Sequence, residues 1–311
     1  MTPRAFTGLS AFPLTPVDES GGGIDEVAYR GLVERLAAAG VDSIAALGST
    51  GSYAYLDRDA RRRTVGMSVA EAGGTPVIAG VGATSTREAL RHAEDAQAAG
   101  ASALLLAPVS YQPLTSEEVL GLFEDLDAAS SVPIVVYDNP GTTRFTFTDE
   151  LHGRIAALPR VASVKLPPVE GGAAAVARRL TALRSHLPSD VTVGISGDPV
   201  AAEALVGGCD GWYSVLAGVL PRTCLAIVAA ARSDRPDRAL ELSRRHQPLW
   251  ALFERYGSYR VVSALAEQLG LVRHPNLPRP VLGLDDAARR ELAGAVTRLR
   301  EDDLLGDDLI R

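Results

Sequence analysis

The stretch "ASALLLAPVSYQPLTSEEVLGLFEDLDAASSVPIVVYDNP" (residues 101–140) holds two apolar runs separated by an amphipathic one. The runs 101–108 and 132–140 are short, rich in Leu, Val and Ile, and barely interrupted by polar residues. That is the pattern of strands buried on both faces. Between them, Ser116 to Ala129 carries apolar residues at helical spacing. A strand, a covering helix and a second strand make one parallel unit, which needs a crossover of about a dozen residues.

The same unit recurs in both directions along the chain. Helical patterns at Asp25–Ala39, Asp57–Ala72 and Thr86–Ala99 precede the strand-like runs 42–48, 75–82 and 101–108. A short helix from Thr148, a longer one from Ala173 to Leu187 and a short one after Pro199 precede 161–166, 191–197 and 210–215. The opening run 6–12 makes eight strands in all. Eight alternations in about 215 residues suit a closed (β/α)8 TIM barrel of the α/β class. An open doubly wound sheet is the alternative, but no G-x-G-x-x-G fingerprint follows a strand. The expected division is a barrel over 1–232 and a helical C-terminal extension over 233–311, with no internal repeat.

The 311 residues are 46% hydrophobic and 22% charged, with a net charge of −7. This composition fits a globular chain with a large core and argues against nucleic acid or a membrane as partner. The N-terminus lacks the apolar core of a signal peptide, and no apolar run reaches the ~18 residues of a membrane span, so a cytoplasmic location is expected. Cys209 and Cys224 read as free thiols. The basic run "ARRRT" (60–64) reads as a solvated helix face. His92, His152, His186, His246 and His274 show no metal-ligand spacing and read as surface or helix-end residues. No metal and no cofactor are expected. The segment around Ser196, G-x-S-G, is not a nucleophile elbow.

In a TIM barrel the chemistry gathers where strands end. Of the 31 Lys and Arg residues, 30 are Arg and one is Lys165, at the tip of the run 161–166. A guanidinium stays protonated, whereas a desolvated ammonium can lose its proton and attack a ketone to form a Schiff base. Tyr137 ends the preceding strand, and neighbouring strands lie about 4.8 Å apart, which places a phenol beside the amine as a candidate proton shuttle. The turn "GSTGS" (48–52) follows the second strand. Backbone N–H groups of Gly48 and Gly51 and the hydroxyls of Ser49 and Thr50 there suit a carboxylate or phosphate. Ser110 and Tyr111 follow the fourth strand on the same rim.

Together these motifs resemble the dihydrodipicolinate synthase / N-acetylneuraminate lyase family of class I, pyruvate-imine aldolases. The resemblance runs through "GSTGS" (48–52), "YDNPGTT" (137–143), "SVKLP" (163–167) and "ISGDPVAAEALVGGCDGWYSVLAGVLP" (195–221). It implies a barrel with a helical extension and a tetramer built as a dimer of dimers. It also implies Lys165 as the Schiff-base lysine and Tyr137 as the phenolic shuttle. Ser49 would relay protons with Tyr137, and Thr50 would help hold a pyruvyl carboxylate. Tyr213 would line the site through its backbone carbonyl.

Several positions depart from the family pattern, among them Leu166 and Pro167, where the lysine's usual followers are acidic or small. Ser52 stands where the family usually has Glu. Thr142 stands at the place of the Arg that grips the synthases' second carboxylate, and Arg144 comes two residues late. Ser110 stands at the place of the tyrosine lent by a neighbouring subunit, and Tyr111 is one residue on. The expected activity is therefore aldol condensation or retro-aldol cleavage of pyruvate or a related 2-oxo acid, with an aldehyde as possible partner, rather than dihydrodipicolinate synthesis itself. The alternatives are dehydration of a sugar acid through the same imine, a non-catalytic carboxylate-binding descendant, and a metal-dependent lyase, which the scattered histidines disfavour.

Overall fold

A computed structural model describes residues 4–18, 22–233, 235–305 and 308. Eight strands run β1 Gly8–Ala11, β2 Ser43–Ala46, β3 Val77–Gly80, β4 Ala103–Leu106, β5 Ile134–Tyr137, β6 Val161–Leu166, β7 Thr192–Ile195 and β8 Gly211–Ser214. Each pairs in parallel with the next, and β8 closes on β1, so the TIM barrel expected from the alternation is the architecture. The paired segments are shorter than the apolar runs. Most hold four residues, because the chain leaves the ladder as soon as it turns outward toward a helix. In β5 the run continues apolar and polar to Pro140, but the ladder stops at Tyr137. Pro140 opens a short helical turn, Pro140–Thr143, and a proline cannot donate to a sheet.

The helices start where local chemistry satisfies their free N–H groups. Asp25, Asp57, Ser85, Thr115, Thr148 and Asp285 each accept a backbone N–H from the first turn of the helix that follows. Thr115 and Glu118 form a full capping box ahead of helix Ser116–Ala129. Gly40 ends helix Glu26–Ala39 in the left-handed conformation that a side chain would strain.

Strand residues alternate between two hydrophobic clusters. On β5, Ile134 and Val136 belong to the layer between sheet and helices, while Val135 and Tyr137 face the barrel interior with Phe12, Ala45, Ile78, Leu105 and Tyr213. The interior is filled by mismatched sizes. Tyr213 takes the space that Gly194 leaves: a Cβ there would lie 2.5 Å from its ring. The Tyr213 hydroxyl is then satisfied by Ser163 at 2.7 Å.

Helices Pro236–Arg245, Gln247–Tyr256, Ser258–Gln268 and Asp286–Glu301 follow the eighth unit. They are tied back to the barrel by specific bonds. Val17 N donates to Asn276 O at 3.0 Å, and Asp308 accepts from Arg222 N and Thr223 N at the start of helix Pro221–Ala231. No helix among the described residues is long and apolar enough to cross a membrane.

Two surface assignments need correction. Arg61 is buried, and its guanidinium donates to Gly82 O and Gly80 O at 3.0 and 2.9 Å. It closes the loop after β3 from within, while Arg62 and Arg63 remain exposed as expected. His152 is also buried, inside a helix, whereas His246, though buried, stands at a helix end as expected, between Pro236–Arg245 and Gln247–Tyr256. His152 falls on the apolar face of helix Asp149–Ala156 and stacks on Phe147 at 4.8 Å, and His246 packs on Trp250. The absence of metal-ligand spacing said nothing about which helix face would carry them.

Candidate active site

Lys165 lies at the C-terminal end of β6 and is only 4% exposed. Its place follows from strand geometry. Ser163 and Lys165 are two apart and share the inward face, Ser163 one layer deeper, where it meets Tyr213. Tyr137 is the register partner of Lys165 on β5, and Asp138 N donates to Lys165 O at 3.1 Å to finish the ladder. The lysine nitrogen Nζ therefore sits 3.9 Å from the centroid of the Tyr137 ring and 5.4 Å from that of the Phe12 ring.

Two aromatic faces and a closed barrel leave the amine little water. Burial pushes the Lys165 pKa down, and this outweighs the pull of Tyr137, Asp198 and Asp138, which favour the charged form. For Tyr137, burial favours the neutral phenol. The Lys165 charge and hydrogen bonds from Ser49 and Asn139 outweigh it and hold the phenol below its ordinary value. Both partners are thus drawn down together, and the two titrate as a coupled pair.

The turn after β2 brings its hydroxyls to this pair. Ser49 Oγ lies 3.2 Å from the Tyr137 hydroxyl. Thr50 is buried on the same turn. Gly48 and Gly51 are required by close packing. A Cβ at Gly48 would lie 2.5 Å from the Phe12 ring, and one at Gly51 would lie 2.8 Å from Leu47 N. Leu47 and Ser52 adopt positive φ, and Ser52 N donates to Ser49 O at 3.2 Å, so the chain turns tightly here. Ser52 Oγ is bound to the Tyr259 hydroxyl at 2.5 Å, which joins the turn to the helical extension.

The other residues singled out from sequence fall elsewhere. Tyr213 is buried in the interior layer below the lysine, its ring edge-on to Phe12. Ser110 is half-buried, but Tyr111 is 92% exposed at a bend between Pro108 and Pro113. Within one chain, Tyr111 does not join the Lys165–Tyr137 group.

The structure adds residues that the sequence did not single out. Phe12 lies against Lys165 and Asn139 bonds to Tyr137. Asp198, in the S-G-D segment, accepts from Trp212 Nε1, Ser214 Oγ and Leu216 N at 3.0, 2.7 and 3.2 Å and braces the ends of β7 and β8. Burial raises its pKa to about 6. Asp138 faces away from the barrel axis, where burial pushes it up to about 7. Its Oδ2 lies 3.5 Å from His152 Nε2, and burial lowers His152 to about 4. Between those values the acid and the imidazole are both neutral. The polar run Asp138–Asn139 directly after an apolar strand was the visible signal for these two residues. Among the described residues, no three His, Cys, Asp or Glu side chains are grouped as a metal site.

Residues 5–299 match the dihydrodipicolinate synthetase family. The chain belongs to that family. A 4-hydroxy-tetrahydrodipicolinate synthase of Phenylobacterium zucineum is 30% identical over 296 residues, covering 94% of this chain and 96% of its own. One of Nitrobacter hamburgensis is 32% identical over 248 residues, covering 79% and 81%. Among solved structures, a dihydrodipicolinate synthase from Agrobacterium tumefaciens superposes with a TM-score of 0.90 at 46% identity, covering 94% of this chain and 98% of that one. A putative dihydrodipicolinate synthetase from Pseudomonas aeruginosa gives 0.86 at 30% identity, covering 95% and 100%. The protein is accordingly an enzyme of this lyase family. Thr142 is exposed, and its hydroxyl lies 3.5 Å from Asn139 O. Arg144 is exposed and sits in the left-handed conformation at the end of the short helical turn.

Proposed function

We propose that the enzyme forms a Schiff base between Lys165 and the ketone of pyruvate or a related 2-oxo acid, and uses it for aldol condensation or retro-aldol cleavage. The observation that carries this reading is the buried Lys165 amine held against the Tyr137 phenol. The substrate carboxylate binds on the 48–51 turn, between the hydroxyls of Ser49 and Thr50 and the backbone N–H groups. The neutral amine adds to the ketone carbon, and the resulting carbinolamine loses water to give an iminium ion. The positive nitrogen then accepts the electron pair left when the adjacent carbon loses a proton or breaks a C–C bond. Tyr137, with Ser49 behind it, carries protons to and from these centres. Water finally returns to the imine carbon and releases Lys165.

The relatives' names point to 4-hydroxy-tetrahydrodipicolinate synthesis. The exposed Thr142 at the place of the family's arginine, and Ser110 at the place of its tyrosine, support a different second substrate for this chain. The same imine would serve a sugar-acid dehydratase.

Borohydride with pyruvate tests the reading. A reduced adduct is expected on one peptide, the one containing Lys165, with only the N-terminal amine as competitor. Lys165→Arg keeps the charge and abolishes that adduct. Undiminished turnover in this variant would refute the imine.

A further inference from the structure

Asn139 occupies the N-cap position of the turn Pro140–Thr143, where an asparagine side chain ordinarily accepts a backbone N–H of its own helix. Here the side chain makes no such bond. Its Nδ2 instead donates to the Tyr137 hydroxyl at 2.8 Å. The backbone of Asn139 is held for this task, because Asn139 O accepts from Thr142 N, Thr143 N and the Thr143 hydroxyl at 3.1, 3.0 and 2.9 Å. The residue gives up a local cap to reach a reactive oxygen.

The consequence follows from counting hydrogens. An amide nitrogen has protons to give and nothing to accept with. Once Asn139 fills one acceptor direction of the phenol oxygen, the phenol's own proton points to one of the remaining neighbours, Ser49 Oγ or, when the amine is neutral, Lys165 Nζ. When the phenol has given that proton away, the same N–H becomes a charge-assisted bond to the phenolate.

We propose that Asn139 is a positioning residue for the proton transfers at Lys165, directing the Tyr137 proton toward the amine and Ser49 and stabilising the oxygen after the proton has left. This rests on the imine reading for its role in turnover, but the effect on Tyr137 itself does not. The charged and titratable groups around Tyr137 are Lys165 on β6, Asp138 beside it on its own strand end, and Tyr53 on the loop after β2. None of them duplicates a neutral fixed donor.

The test is a tyrosinate absorbance titration of the full chain. Subtracting the curve of Tyr137→Phe isolates the Tyr137 transition, and the same subtraction is made in Asn139→Leu and Asn139→Asp backgrounds. Loss of the donor is expected to move the Tyr137 transition to higher pH in Asn139→Leu, and further in the nearly isosteric Asn139→Asp, whose carboxylate can only accept. A transition that stays or falls in Asn139→Leu overturns the proposal. Should that variant not fold, an unmoved transition in Asn139→Asp overturns it equally. A second readout is exchange of the methyl protons of pyruvate in D2O. Asn139→Leu is expected to lower its maximal rate about tenfold or more while half-saturation by pyruvate stays near that of the wild type, as befits loss of one hydrogen bond to a developing charge. If the wild type neither exchanges nor traps pyruvate or any other 2-oxo acid of a panel, the imine reading falls, and the titration still decides the place of Asn139.

Discussion

Tyr137 and Lys165 are register partners on adjacent parallel strands, and the lysine nitrogen rests 3.9 Å from the centre of the phenol ring. The contact is set by the ladder rather than by a loop. Backbone pairing fixes the two Cα atoms, and the period of two along each strand turns both side chains into the barrel.

Replacing Lys165 with Met removes a cation from a site that is only 4% exposed. An uncompensated buried charge costs stability, and an apolar side chain of similar length does not. Lys165→Met should melt at or above the wild-type temperature while losing all borohydride trapping. A clear fall in melting temperature would show that the ammonium is stabilising where it sits.

Tyr137→Phe keeps the ring against the amine and removes only the hydroxyl that contacts Ser49 and Asn139. Exchange of pyruvate methyl protons, followed by NMR in D2O, should slow by roughly 10²–10⁴, the span of general acid–base catalysis. A loss of less than about threefold would assign the proton transfer to another group.

Asp138 should destabilise the fold at high pH. Its folded value is about 7, above its ordinary 3.8, so the unfolded chain releases the proton first as pH rises. The penalty is absent below the unfolded value, grows between the two values, and is complete above the folded one. Asp138→Asn should therefore raise stability at about pH 8.5, by an amount on the order of a few kcal/mol, and have little effect at about pH 3.5. His152, lowered to about 4, costs stability in acid, and its 3.5 Å contact with Asp138 couples the two groups at the lower pH value. Urea denaturation at the two pH values checks this, and an equal difference at both would contradict it.

The interior bond between Ser163 and Tyr213 should behave as a unit. Ser163→Ala leaves the Tyr213 hydroxyl buried without a partner, at a cost of about 1–3 kcal/mol. Adding Tyr213→Phe removes the orphan and should recover much of that loss. Strict additivity in denaturant unfolding of the single and double variants would mean that each group finds another partner.

The alternation of apolar runs and capped helical segments determined the barrel, because a strand buried on both faces and a helix buried on one have different periods that are legible in any window of residues. It also placed the single lysine and Tyr137 on one rim, since consecutive strands of such a barrel pair in order. What the tertiary structure alone decided lies off the periodic elements, or on faces that polarity misreads. Phe12 becomes a wall of the lysine pocket, Asn139 abandons its cap for the phenol, and Tyr111 turns out to solvent. Arg61 reaches inward to two carbonyls and His152 stacks on Phe147. A loop has no repeating geometry from which to infer where a side chain points. A charged or polar residue goes inside only when partners distant in sequence, such as Gly80 and Gly82 for Arg61, arrive to receive it.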